Sequence, residues 1–135
     1  IYFAKSDFWI RYNIIMATYS KVLLSGSTQG KAIKVAATSS PGTTIHATGT
    51  SATTEDEIWL YAYNSSSTTV VLTIQFGGTT AVDNDIKLSI PATSGLTLVT
   101  PGLILTGTGS AANTVAAYAA TANVITISGY VNRIT

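Results

Sequence analysis

The chain has 135 residues, no Cys, seven Lys/Arg against six Asp/Glu and a formal net charge of +1. That length is enough for one domain with a real hydrophobic core and no staples, and without Cys there can be no disulfide, thiol nucleophile or cysteine metal site. Charged residues are only 10% of the chain while Ser (14) and Thr (23) abound, which disfavours a nucleic-acid patch, an acidic or basic tail and a charge-laced helical bundle.

Residues 1–15, IYFAKSDFWIRYNII, differ from everything that follows. They gather Tyr2, Phe3, Phe8, Trp9 and Tyr12 around Lys5, Asp7 and Arg11, and they carry the whole net charge. Charges interrupt every apolar run and no small-residue cleavage site follows, so the segment does not read as a signal peptide. No apolar stretch approaches the ~20 residues a bilayer requires. Met16 then opens ATYSKVLLSG, which looks like a natural start. Residues 1–15 therefore read as an N-terminal extension of the frame or an arm packing on a neighbour, and residues 16–135 as a single β-sandwich domain.

From Ser20 onward, short alternating runs are separated by Gly, Pro, Ser, Thr and Asn. The expected strands are Tyr19–Leu24, Lys31–Ala37, Thr43–Thr48, Glu57–Asn64, Thr69–Phe76, Ile86–Ile90, Leu96–Thr100, Thr114–Ala119 and Asn123–Val131. Their spacing is that of an all-β antiparallel sandwich, jelly-roll-like or Ig-like, of about eight short strands. Pro41, Pro91 and Pro101 fall at the ends of runs, where a missing N–H removes no central ladder bond. In Val70–Phe76, Val70, Leu72, Ile74 and Phe76 share one face while Val71, Thr73 and Gln75 share the other. Ile86, Leu88 and Ile90 repeat the pattern. In the last run Ile125, Ile127, Gly129 and Val131 oppose Val124, Thr126, Ser128 and Tyr130.

Glu57–Tyr63 is loaded on both faces, with Ile58, Leu60 and Ala62 on one and Trp59, Tyr61 and Tyr63 on the other. Such a strand is either covered twice or turned toward a partner. The three rings offer apolar area with a polar tip, which suits an interface or a ligand platform as well as cover for a sheet edge. Ala111–Ala122 is helical on propensity alone, yet it lacks a 3.6-residue stripe and reads as strand, its small residues marking close packing.

Catalytic chemistry is thin. His46 is the only histidine, so paired-histidine schemes and His-rich metal centres are excluded. No Gly-x-Ser-x-Gly elbow occurs, and a lone His between Ile45 and Ala47 reads as a hydrogen-bonded strand residue. Glu55, Asp56 and Glu57 cannot converge on one face of a strand, and the spacing of an EF-hand loop is absent. Asp83, Asn84 and Asp85 read as a solvated turn. Gly77-Gly78 and Gly107-Thr-Gly109 lack any phosphate-loop context, and Lys21, Lys31 and Lys34 make a weak footprint for nucleic acid. No catalytic residue, metal or cofactor is assigned. The partner-facing candidates are Trp59, Tyr61 and Tyr63, with Phe8 and Trp9 of the arm.

Several stretches carry a resemblance: MATYSKVLLSGS at Met16–Ser27, IKVAATSSPGTTIH at Ile33–His46, DEIWLYAYNSSSTTVVLTIQFGGTT at Asp56–Thr80, IPATSGLTLVTPGL at Ile90–Leu103 and ISGYVNRI at Ile127–Ile134. They resemble small virion structural proteins of tailed marine bacteriophages and cyanophages. The resemblance implies a non-enzymatic capsid decoration (cement) protein, assembled in the host cytoplasm into the virion. Its implied partners are the major capsid protein or other virion proteins and copies of itself, a trimer among the options, with no nucleic acid and no membrane. The alternative is a tail, connector or fibre-associated module that binds a host glycan or receptor, the same rings stacking on sugars.

Overall fold

Period-2 alternation in the sequence becomes nine strands and no helix among the described residues, which are 16–135 of the computed structural model. They are β1 (Tyr19–Leu23), β2 (Ile33–Lys34), β3 (Thr43–Ala47), β4 (Glu55–Asn64), β5 (Val70–Phe76), β6 (Asp85–Ile90), β7 (Thr97–Leu105), β8 (Thr114–Ala119) and β9 (Ile125–Ile134). Phe8 and Trp9 lie outside the described residues.

Antiparallel pairing is nested: β1 with β9, β3 with β8, β4 with β7 and β5 with β6. This is the pattern of one long hairpin folded over on itself. Lateral pairs β4–β9 and β5–β8 then join the ribbons into two sheets. Sheet A runs β1-β9-β4-β7 with β2 added against β9, and sheet B runs β3-β8-β5-β6. Of the two sandwich arrangements left open by the sequence, this order is the jelly roll, because the first strand lies beside the last; an Ig-like order would set it beside the second.

The core forms where the inner faces meet. Ile58, Leu60 and Ala62 of β4 and Ile125, Ile127 and Val131 of β9 face Leu72 and Ile74 of β5 and Val115, Ala117 and Ala119 of β8. Each fully buried Leu or Ile contributes about 1.5–3 kcal/mol. The alanines of β8 hold the middle of sheet B, between β3 and β5; helix propensity yields there to strand pairing on both sides.

Three expected runs need correction, and one strand face is buried that alternation alone leaves open. Lys31–Ala37 keeps only two residues of strand: beyond Lys34, Ala36 and Ala37 donate to Thr43 Oγ1 instead of to a ladder. The Leu96–Thr100 run continues through Pro101 to Leu105. Pro101 is tolerated because β7 is an edge strand, and the ladder slips opposite Trp59 where the bulge falls. Thr73 and Gln75 do not face solvent. Gln75 Oε1 accepts from Gly42 N (2.9 Å) and its Nε2 donates to Ser40 Oγ (2.8 Å), so the 39–42 turn lies over that face. Finally, β4 and β9 are longer than their apolar cores, pairing from Glu55↔Ile134 to Asn64↔Ile125.

Both ends of β4 point a polar side chain inward. Asn64 closes one end: its Nδ2 donates to Ile90 O (2.9 Å) and Thr68 O (2.8 Å), and its Oδ1 accepts from Ser66 N (2.9 Å). Asn64→Ala should cost about 1–3 kcal/mol, since it strands buried carbonyls. Urea unfolding of the variant checks this; an unchanged midpoint would show that water replaces the amide freely.

Candidate aromatic interface on sheet A

Alternation along β4 turns Asp56, Ile58, Leu60, Ala62 and Asn64 inward and leaves Glu57, Trp59, Tyr61 and Tyr63 partly exposed on the outer face. Register then builds the site across the four strands β1-β9-β4-β7. Trp59 lies opposite Tyr130 of β9, and the two rings stack with centroids 6.2 Å apart and an interplanar angle of 13°. On the other side the indole covers Gly102 of β7, whose φ is +76° and where a Cβ would come within 2.9 Å of the ring. Lys21 Nζ of β1 sits 5.0 Å from the Tyr130 centroid, a cation–π contact of about 0.5–1 kcal/mol at an exposed site.

A polar rim fixes the stack. Trp59 Nε1–H donates to Glu57 Oε1 (2.7 Å), and Asn132 Nδ2 donates to the same oxygen (3.0 Å). The Trp59 bond, then the Asn132 bond, hold the Glu57 carboxyl below its ordinary range, so a fixed anion stands beside the rings at neutral pH. Tyr61, opposite Ser128 and Leu98, and Tyr63, opposite Thr126, extend the row along β4, about 7 Å per step. The surface is an aromatic strip with one carboxylate and one amide at its end, able to take up apolar groups or flat ring faces.

Trp59, Tyr61 and Tyr63 thus share one outer face, as the alternation predicts. Tyr130, Asn132 and Lys21 join them without being among the partner-facing candidates that the sequence offers. Tyr130 stands on the outward face of its strand in the sequence pattern, but its place beside Trp59 depends on a register that no local pattern carries.

A second polar cluster lies inside, at the other end of β4 from Asn64. Asp56 faces Arg133 directly across the β4–β9 pair. Arg133 Nε donates to Asp56 Oδ1 (2.7 Å) and Nη2 to Oδ2 (2.9 Å). Ser25 N–H donates to His46 Nδ1 (3.0 Å), so the ring hydrogen sits on Nε2 and is given to Asp56 Oδ2 at 2.8 Å. His46 belongs to sheet B and Asp56 to sheet A, and the bond ties the sheets together. Burial raises the Asp56 pKa, but the hydrogen bonds from Arg133 and His46 and the charge of Arg133 outweigh it and leave the pKa below its ordinary value. His46 and Asp56 are each 1% exposed, so the pair has no open side for a substrate. His46 is a hydrogen-bonded strand residue, as the sequence reading has it; the acidic run is not uniformly solvated.

Elsewhere, Asn84 closes its turn by accepting from Thr80 N (3.2 Å) and donating to Phe76 O (3.1 Å). Among the described residues, no three of His, Asp and Glu converge in a way that could hold a metal ion. Comparison with protein-family models, curated proteins and solved structures found no match to this chain.

Proposed function

We propose that this is a non-enzymatic virion structural protein, a capsid decoration protein that docks the outer face of sheet A on other proteins of a phage head. The observation that carries the reading is the row Trp59, Tyr61 and Tyr63, continued by Tyr130, on a sheet face rather than in the core. Tyr and Trp are enriched in protein interfaces and their hot spots, and a strip with a single carboxylate is cheap to desolvate beside a Lys/Glu coat. Burial of the His46–Asp56 pair supports a structural role for the groups that would otherwise suggest acid–base chemistry. Jelly rolls recur among capsid and lectin domains, a fold-level analogy that agrees with the reading. The resemblance of Met16–Thr135 to virion proteins of tailed bacteriophages points the same way. The protein would sit between capsomers of the major capsid protein, each weak contact multiplied by repetition over the lattice.

A second reading has its own observation. Two nearly parallel rings beside Glu57 and Asn132 are suited to stacking on a sugar while hydrogen-bonding its hydroxyls, as a tail- or fibre-associated glycan-binding module requires.

One experiment addresses both. The isolated protein is offered to phage heads stripped of it and, separately, to a glycan array. Retention on heads at fixed copy number, lost in Tyr61→Ser/Tyr63→Ser while the melting temperature stays within a few degrees, is the expected result. Saturable sugar binding without head binding would establish the second reading instead. Unfolding of the double variant would mean that the rings stabilise the sandwich and would remove the ground for a docking face.

A further inference from the structure

We infer that the free edge of β7 is a self-association surface that pairs two copies of this chain about a two-fold axis. Among the described residues the two sheets have four outer edges, and three are guarded. β1 and β2 carry Lys21 and Lys34, and β6 carries Asp85 and Lys87. β3 is covered by the turn before it in space, with Gly26 N donating to Ile45 O (2.9 Å) and Ala47 N to Ser25 Oγ (2.7 Å). Among the described residues β7 has neither cover nor charge and bonds only to β4, and Leu98 (46%), Leu103 (37%) and Ile104 (53%) are exposed along it. Pro101 withholds one N–H, leaving unpaired stretches on either side of it.

Charge selects the occupant. A two-fold contact sets each strip against its own copy, so an edge bearing lysine repels itself while an uncharged one does not. No Asp, Glu, Lys, Arg or His occurs between Lys87 and Arg133, so β7 offers a charged foreign segment no counter-charge and offers a second β7 no repulsion. Nine residues of strand give a strip about 30 Å long and, across the ~10 Å sandwich, about 300 Å² per copy. That is less than the ~800 Å² per partner of a standard interface, so the pair is weak in solution. This pairing goes beyond the docking role of the outer face and does not depend on it.

Sedimentation velocity of the full chain from about 1 μM to about 1 mM reads the pairing directly, these limits spanning the weak end of protein affinities. The expected result is a monomer–dimer equilibrium that Leu98→Lys/Ile104→Lys weakens at least tenfold. Leu98→Thr/Ile104→Thr, which keeps strand propensity, should weaken it less, and the control Leu23→Lys on β1 should leave it unchanged. A monomer throughout, a trimer, or a dimer indifferent to both β7 variants would overturn the inference. Because Leu98 and Ile104 stand opposite Tyr61 and Glu57 on the outer face, the pairing is also measured in Tyr61→Ser/Tyr63→Ser, which should leave it unchanged; a pairing lost there would place the contact on the aromatic face and overturn the inference.

Discussion

Asp56→Ala should lower the stability of the sandwich by about 3 kcal/mol, the lower end of the range for removing one partner from a buried ion pair. Three hydrogen bonds end on this carboxylate, two from Arg133 and one from His46. Without it, His46 Nε2–H faces no acceptor at 1% exposure, while Arg133 keeps part of its hydration at 30% exposure, which is why the upper end is not expected. Asp56→Asn should cost less, since the amide oxygen still accepts. Replacing all three groups together by apolar side chains of similar volume should be milder than Asp56→Ala, because no orphaned charge remains. The same carboxylate sets an acid dependence. Its folded pKa lies below the ordinary 3.8, so its contribution is full above the unfolded value and is lost as pH falls through the folded one. Urea midpoints of the wild type should be steady down to about pH 5 and fall below about pH 4, and the gap between wild type and Asp56→Asn should narrow over the same interval. A gap constant down to pH 2 would show that the carboxyl titrates alike in the folded and unfolded chain, so that Arg133 and His46 do not favour its ionised form.

What the sequence discloses follows the range of the interaction concerned. Val70–Phe76, Ile86–Ile90 and Ile125–Val131 are legible as strands because a half-buried strand writes its burial into adjacent residues. The outward placement of Trp59, Tyr61 and Tyr63 is legible for the same reason. Asp56 is not: its inward direction follows from alternation with Ile58, but a carboxylate is kept inside only by partners 10 and 77 residues away. Gln75 is hidden in the same way, its cover coming from Ser40 and Gly42. Tyr130 completes the aromatic site through the ten-residue pairing of β4 with β9, which is topology rather than pattern. Apart from the consecutive pair β5–β6, every pairing of the jelly-roll order joins strands that are not neighbours in sequence, so composition and spacing reach the sandwich and leave the choice of arrangement open.

Gly129→Ala should be the most damaging single-methyl change in sheet A, costing about 3 kcal/mol, the upper end for overpacking a filled site. Gly129 faces Leu60 in the register of the two central strands. A Cβ there would run into the Trp59 carbonyl oxygen and lie 3.0 Å from Trp59 C and 3.2 Å from Leu60 Cα. All three atoms are backbone, so relief requires the ladder to open rather than a side chain to turn. The sign makes the test decisive, because on chain entropy alone Ala in place of Gly inside a strand should stabilise by roughly 0.5–1 kcal/mol. Gly49→Ala, where no atom stands within 4 Å of the new Cβ, is the matched control and should leave the urea midpoint unchanged or slightly raised. The close approach permitted at Gly129 also sets the height of the next residue, Tyr130, against Trp59. Gly129→Ala should therefore weaken the near-ultraviolet circular dichroism of the stacked pair along with stability. A variant as stable as the wild type, with that signal intact, would mean that β4 and β9 meet in another register and that the aromatic face is not built as described.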